Sequence, residues 1–199
     1  MSSAHSTTPV YGLVLAGGKS RRMGRDKAKL RRGEDSQLAY VVDLLEALLK
    51  RVFVSTRSEQ SDDSERSRFA QIVDRFSDMG PVAGILSAMA EYPDVDWLVV
   101  ACDLPNIDAA TISYLLEHRS ADKPFTAFSS THDGLPEPLC AVYRSNSVDI
   151  VRAFVDEGIH CPRKILIRSD SHLLSQPNPR SLDNINTPDD LRGSVLAAS

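Results

Sequence analysis

Residues 15–24, with the sequence LAGGKSRRMG, place two adjacent glycines directly before a run of basic side chains. Adjacent glycines let a backbone turn sharply and bring its N–H groups against an anion. Lys19, Arg21, Arg22, Arg25 and Lys27 supply cationic partners for that anion, so a polyphosphate suits the segment. It matches neither standard phosphate motif. A Walker-type loop would need glycine where Leu13 stands, and the G-x-G-x-x-G spacing is broken because Gly17 and Gly18 are adjacent. Taken alone, the loop leaves open a plain turn followed by a solvated basic face.

Asp103 is the second group with chemistry. It ends the apolar run of residues 96–103 and precedes Leu104 and Pro105, so a buried strand stops there and its carboxylate is expected in the crevice beyond. Mg²⁺ prefers hard oxygen ligands and binds through one or two carboxylates plus substrate phosphates. One well-placed Asp therefore serves a nucleotide-bound metal. A carboxylate capping the following turn is the alternative, and the company of the glycine loop weighs against it.

The elements that must position these groups follow from periodicity. Residues 11–16, 51–56, 71–74 and 96–103 read as buried strands, and residues 124–130 and 137–144 as further strands. Helical spacing marks residues 37–50, 82–92 after Gly80 and Pro81, 109–119 behind an N-capping Asp108, and 147–157 up to Gly158. Thr187, Pro188, Asp189 and Asp190 form a strong helix start. Residues 57–68 read as a surface connection. Strands alternating with helices predict an α/β protein with a mostly parallel twisted sheet covered on both faces and ligands at the strand carboxyl ends.

With 199 residues the chain is expected to form one domain over residues 10–199, behind a flexible tail of residues 1–9. Twenty-seven acidic against 23 basic residues give a formal charge of −4, which argues against a nucleic-acid partner and for a small molecule. The three cysteines Cys102, Cys140 and Cys161 show no metal or disulfide spacing. No signal peptide or membrane-length apolar run is visible, so a cytoplasmic location is expected. The histidines at 5, 118, 132, 160 and 172 lack ligand spacing. Cys102 and Trp97 read as packing, and residues 162–164 as an exposed basic turn or an anion contact.

Residues 15–30, with the pattern L-A-G-G-K-S-R-R-M-G-x-D-K, make the chain resemble the molybdenum cofactor guanylyltransferases, or MobA-like nucleotidyltransferases. Residues 80–84 (GPVAG), 101–105 (ACDLP), 137–139 (EPL) and 184–188 (NINTP) follow in the family's order. The resemblance implies a three-layer α/β/α fold like that of the nucleotide-diphospho-sugar transferases. It implies transfer of GMP from GTP to molybdopterin with Mg²⁺, releasing pyrophosphate, and a molybdopterin-delivering or acceptor enzyme as a partner. Leu15, Ala16, Gly17, Gly18 and Lys27 match the nucleotide and phosphate contacts, Asp103 the magnesium ligand, and Asp74 a nucleotide-contacting Asp. Gly84, in the matching GPVAG segment, is implied as a further nucleotide contact, and Asn184 and Asn186 match the late asparagine motif near metal and acceptor. Ser55 stands where a relative uses Asn.

In the implied reaction an acceptor phosphate attacks the nucleotide α-phosphorus and charge gathers on pyrophosphate. Arg21, Arg22, Lys27 and the loop N–H groups would offset it beside a metal on Asp103, and no protein nucleophile is needed. Cytidylyl transfer to molybdopterin, nucleotidyl transfer to a sugar phosphate and a non-catalytic nucleotide-binding protein are the competing readings. The related cytidylyl enzymes more often carry L-A-A-G, so Gly17 followed by Gly18 favours guanine.

Overall fold

The computed structural model describes residues 8–18, 26–185 and 196. The helix expected from Thr187, most of the expected tail, and residues Arg21, Arg22 and Asn186 lie outside that range. The described residues form a seven-stranded sheet and a small hairpin. In chain order the elements are β1 (Val10–Leu15), β2 (Arg31–Arg32), β3 (Asp35–Ser36), α1 (Gln37–Glu46), β4 (Val52–Thr56), β5 (Gln71–Val73), α2 (Pro81–Glu91) and β6 (Asp96–Ala101). Then come α3 (Ala109–Glu117), β7 (Phe125–Ser129), β8 (Pro136–Tyr143), α4 (Val148–Asp156), α5 (Pro162–Arg168) and β9 (Ser171–Leu174).

The sheet order is β5-β4-β1-β6-β8-β7-β9. β1 pairs in parallel with β4 and β6, β4 with β5, and β7 with β9, whereas β8 runs antiparallel to both β6 and β7. One reversed strand therefore interrupts a mostly parallel sheet. Its reversal brings the start of β8 to the edge where its neighbours end.

Side chains alternate across the pleat, so each strand feeds two cores. Val14, Val54, Leu98 and Val100 pack with Leu38, Val41 and Leu45 of α1 and Ile112 and Leu115 of α3. Leu13, Trp97 and Val99 pack on the other face with Val82, Ile85 and Met89 of α2, Val151 of α4, and Ile165 and Leu166 of α5. This is the three-layer α/β/α arrangement, and β6 is buried at every position because both of its faces are covered.

Local chemistry explains most boundaries. Ser36 caps α1 by accepting from the Ala39 N–H at 3.0 Å, and Asp108 caps α3 by accepting from the Thr111 N–H at 2.7 Å. Pro81 opens α2, and Gly80 before it holds φ +57°. Three sequence expectations change. α1 ends at Glu46, short of residue 50. Residues 162–164 begin a helix rather than a basic turn, with Pro162 in its first turn and Ile165 and Leu166 turned into the core. β9 was not expected, because a four-residue edge strand carries too little alternation to stand out from a loop.

Candidate functional site

A cleft of about 670 Å³ opens beyond the carboxyl ends of β1, β4, β5 and β6, the place where open α/β sheets bind ligands. Leu15, Ala16, Gly17 and Gly18 line it from the end of β1, Asp74 from the end of β5, and Asp103 from the end of β6. Lys27 lies across from Asp103, and Leu139 enters from the reversed strand.

Lys27 is carried on a single 3₁₀ turn, Lys27–Lys29, capped by Asp26, whose Oδ1 accepts from the Ala28 N–H at 3.1 Å. Its Nζ donates to Asp103 Oδ2 at 2.9 Å, with the two side chains 15% and 23% exposed. The pair is thus shielded yet reachable from the cleft. The segment after Asp103 is held from several sides. Gln37 Nε2 donates to the Leu104 carbonyl at 3.0 Å, Arg32 Nη1 to that of Pro105 at 2.5 Å, and the Tyr40 hydroxyl to that of Ile107 at 2.8 Å. The Ile185 N–H donates to the Asp103 carbonyl at 3.1 Å, so the late asparagine segment meets the end of β6 through its backbone. Asn184 precedes that contact and is exposed.

Asp74 defines the other end of the cleft. Its N–H donates to the Thr56 carbonyl at 2.7 Å, and its Oδ1 accepts from the Ser55 hydroxyl at 2.8 Å. Burial raises its pKa above the ordinary carboxylate range, against the Ser55 hydrogen bond and the nearby Arg57 charge, which lower it. Arg57 also lines the cleft and donates to the Gly17 carbonyl. A Cβ at Gly17 would stand 3.5 Å from Asp74 Oδ2 and 3.6 Å from Arg57 Cγ, so this glycine keeps the space between them narrow and open.

Gly84 does not line the cleft. It lies in α2 against β4 and β1, where a Cβ would overlap Ser55 Oγ and stand 3.0 Å from Ser55 Cβ and 3.1 Å from Leu15 Cδ2. Its absence of a side chain lets the helix approach the strand ends that carry Ser55 and Leu15. Cys102 is buried, and burial, then the Asp103 and Asp26 carboxylates, push its thiol up to about 12. It packs and does not act as a nucleophile at neutral pH.

Sequence reasoning missed Arg57, Arg66 and the role of Asp26. Residues 57–68 are not simply a surface connection, because Arg66 is 1% exposed and reaches the loop after β1. Nothing in that polar run distinguishes Arg66 from its neighbours Arg57 and Arg68. Asp26 did carry a signal, since it adjoins Lys27 at a spacing that allows a cap.

The donor set at Asp103 fits a magnesium ion only in company. No group of three or more His, Cys, Asp or Glu side chains converges among the described residues, so an all-protein cage is absent there. A single carboxylate on a cleft that admits phosphates meets the need of Mg²⁺. The Lys27 ammonium beside Asp103 already marks a position where a cation is neutralised. Among the described residues no helix is long and apolar enough to cross a membrane.

The family described as MobA-like NTP transferase domain matches residues 12–173. A molybdenum cofactor biosynthesis bifunctional protein from Synechocystis is 38% identical over 93% of this chain, and the chain spans only 53% of that protein. A probable molybdenum cofactor guanylyltransferase from Bacillus mycoides is 31% identical over 84% of this chain and 80% of its own length. Among solved structures, molybdopterin-guanine dinucleotide biosynthesis protein A from Archaeoglobus fulgidus superposes with a TM-score of 0.76 at 24% identity, covering 94% of this chain and 98% of its own.

Proposed function

Because the chain belongs to the MobA-like NTP transferase domain family, we propose that this nucleotidyltransferase moves GMP from GTP to molybdopterin, with Mg²⁺, and releases pyrophosphate. The observation that carries the reading is the Lys27–Asp103 pair, which lines the same cleft as the glycine loop. It gives one carboxylate for a metal and one ammonium for phosphate, on rigid supports.

The chemistry asks little covalent work of the protein. A phosphate oxygen of the acceptor forms a bond to the α-phosphorus while the bond from that phosphorus to the pyrophosphate oxygen breaks. Two anions must approach, and charge accumulates on the leaving group. Lys27 and the N–H groups of the loop offset that charge, and Arg21 and Arg22 of the same segment are proposed to join them. Asp103, together with nucleotide phosphates, would hold Mg²⁺, which would neutralise and orient those phosphates. The shielding of Lys27 and Asp103 strengthens each of these interactions relative to bulk water.

At the far end of the cleft, Asp74 offers carboxylate oxygens beside the Ser55 hydroxyl. Guanine presents an N1–H and an exocyclic amine as adjacent donors, whereas cytosine presents a donor beside an acceptor. A carboxylate suits the former, which supports GTP over CTP as the donor nucleotide. The N-terminal glycine pair supports the same choice by family resemblance.

Incubation with GTP, Mg²⁺ and molybdopterin, followed by mass analysis of the products and a pyrophosphate assay, tests the proposal. A molybdopterin-guanine dinucleotide formed one-to-one with pyrophosphate is expected. Turnover of CTP in preference to GTP, or guanylyl transfer only to a sugar phosphate, would overturn it.

A further inference from the structure

We propose that Arg66 is the positioning residue of the nucleotide site, a buried guanidinium that ties Ala16 to Asp26 and, through Asp26, sets Lys27 against Asp103. The inference rests on the nucleotidyl-transfer reading above and adds a residue that lies outside the cleft. Arg66 comes from the connection between β4 and β5, on the 3₁₀ turn Arg66–Arg68.

The hydrogen bonds of Arg66 explain the assignment. Nε and Nη2 donate to the Ala16 carbonyl at 3.1 and 2.7 Å. Nη1 and Nη2 donate to Asp26 Oδ2 and Oδ1 at 2.8 and 3.0 Å, and Nη1 also donates to Asp63 Oδ1 at 3.2 Å. A guanidinium has five N–H donors in a rigid fork, and each of the five has a partner here. Ala16 precedes the glycines and Asp26 precedes Lys27, so one planar group ties the end of β1 to the turn that carries Lys27.

The contact extends directly to Lys27. Asp26 Oδ1 receives both Arg66 Nη2 and the Ala28 N–H that caps the turn bearing Lys27. Asp63 is held in turn by the Glu65 and Arg66 N–H groups at 3.1 and 3.4 Å and pairs with Lys29 on that same turn. The cluster of Arg66, Lys29, Asp26 and Asp63 is charge-balanced. Arg66 therefore does not add a cation for phosphate; it neutralises Asp26, which lines the cleft and would otherwise repel a triphosphate. Lysine keeps the charge but cannot grip a carbonyl and a carboxylate in one plane.

Arg66→Lys and Asp26→Asn, made singly and together in the full chain, test the assignment by steady-state kinetics with GTP and by binding of a fluorescent GTP analogue. A misplacement of about 1 Å at a catalytic group costs on the order of 100-fold in rate. Each single variant is expected to lower kcat/KM by about 10- to 100-fold, with kcat falling as well as KM rising, because Lys27 is displaced as well as the loop. The double variant is expected to lose no more than the worse single one, since both changes break one joint. A purely structural Arg66 would lower the melting temperature and leave kcat/KM of the folded enzyme at the wild-type value, and that result would overturn the assignment. So would losses that multiply in the double variant.

Should Arg66→Lys not fold, the isosteric Asp26→Asn carries the test alone, and wild-type kcat/KM in it sinks the proposal. The wild-type enzyme separates this idea from the one it rests on. If it turns over CTP instead of GTP, the nucleotide assignment fails and the variants are judged with CTP. If it binds no nucleoside triphosphate, both ideas fall.

Discussion

Gly84→Ala probes how closely α2 must approach the site. The added Cβ would overlap Ser55 Oγ, and would stand 3.0 Å from Ser55 Cβ and 3.1 Å from Leu15 Cδ2. Two responses are open. Ser55 can rotate away, giving up its 2.8 Å hydrogen bond to the Asp74 carboxylate, a charged pairing whose loss costs about 1.5–3 kcal/mol. Alternatively α2 shifts outward, at the overpacking cost of about 1–3 kcal/mol. Alanine returns about 1 kcal/mol relative to glycine in a helix interior. The net expected loss is up to about 2 kcal/mol, or a fall in Tm of up to roughly 8 °C for a chain of this size.

Thermal unfolding of Gly84→Ala, Ser55→Ala and the double variant measures this. Ser55→Ala removes the overlapping hydroxyl but leaves the carbon at position 55 and Leu15 Cδ2 in close contact, so the second substitution is expected to cost less in that background and the pair to be non-additive. Nucleotide affinity should fall in Ser55→Ala, which withdraws the hydroxyl from Asp74, and in Gly84→Ala by as much as Ser55 rotates away. An equal cost for Gly84→Ala in the two backgrounds would refute the steric argument. A loss of affinity in Gly84→Ala that Ser55→Ala does not share would instead give Gly84 a direct part in binding.

Lys27→Met should lower kcat by about 10²–10³-fold, the usual loss when one preorganised donor to developing charge is removed. Its effect on Tm should stay within a few degrees, since Lys27 and Asp103 both retain solvent access, and a large unfolding penalty with intact turnover would contradict its role. Asp74 has a folded pKa raised chiefly by burial, so its ionised form destabilises the fold above that pKa and the penalty disappears as pH falls below the unfolded value. Asp74→Asn is therefore expected to raise Tm at neutral pH and to lose that advantage on acidification, while weakening guanine nucleotide binding. Tm profiles against pH that run parallel for the two proteins would show the sign to be wrong.

Much of the architecture could be read from the chain because burial leaves a one-dimensional trace. The apolar runs at β1, β4 and β6 and the three- and four-residue spacing of α1 and α2 state which faces meet a core, and Asp108 and Pro81 punctuate helices by local chemistry alone. The same logic placed the glycine loop and Asp103 at strand ends on one edge, since a parallel sheet brings its carboxyl ends together. Local signals faded where an element was short or its orientation depended on partners. The reversal of β8, the edge strand β9 and the helical character of residues 162–168 depend on what packs against them.

By itself the sequence determined that a glycine and basic segment and a strand-ending Asp would share a crevice, because residue type and periodicity suffice for that. Only the tertiary structure decided how the segment is held. Arg66 looks like any other charge in a polar connection, and its function depends on a carbonyl and two carboxylates arriving from elsewhere at 2.7–3.2 Å. Gly84 likewise resembles a nucleotide contact in the chain and becomes a packing glycine in space, 3.0 Å from the carbon that carries the Ser55 hydroxyl. Hydrogen-bond satisfaction and steric exclusion are properties of pairs distant in sequence, so no local pattern records them.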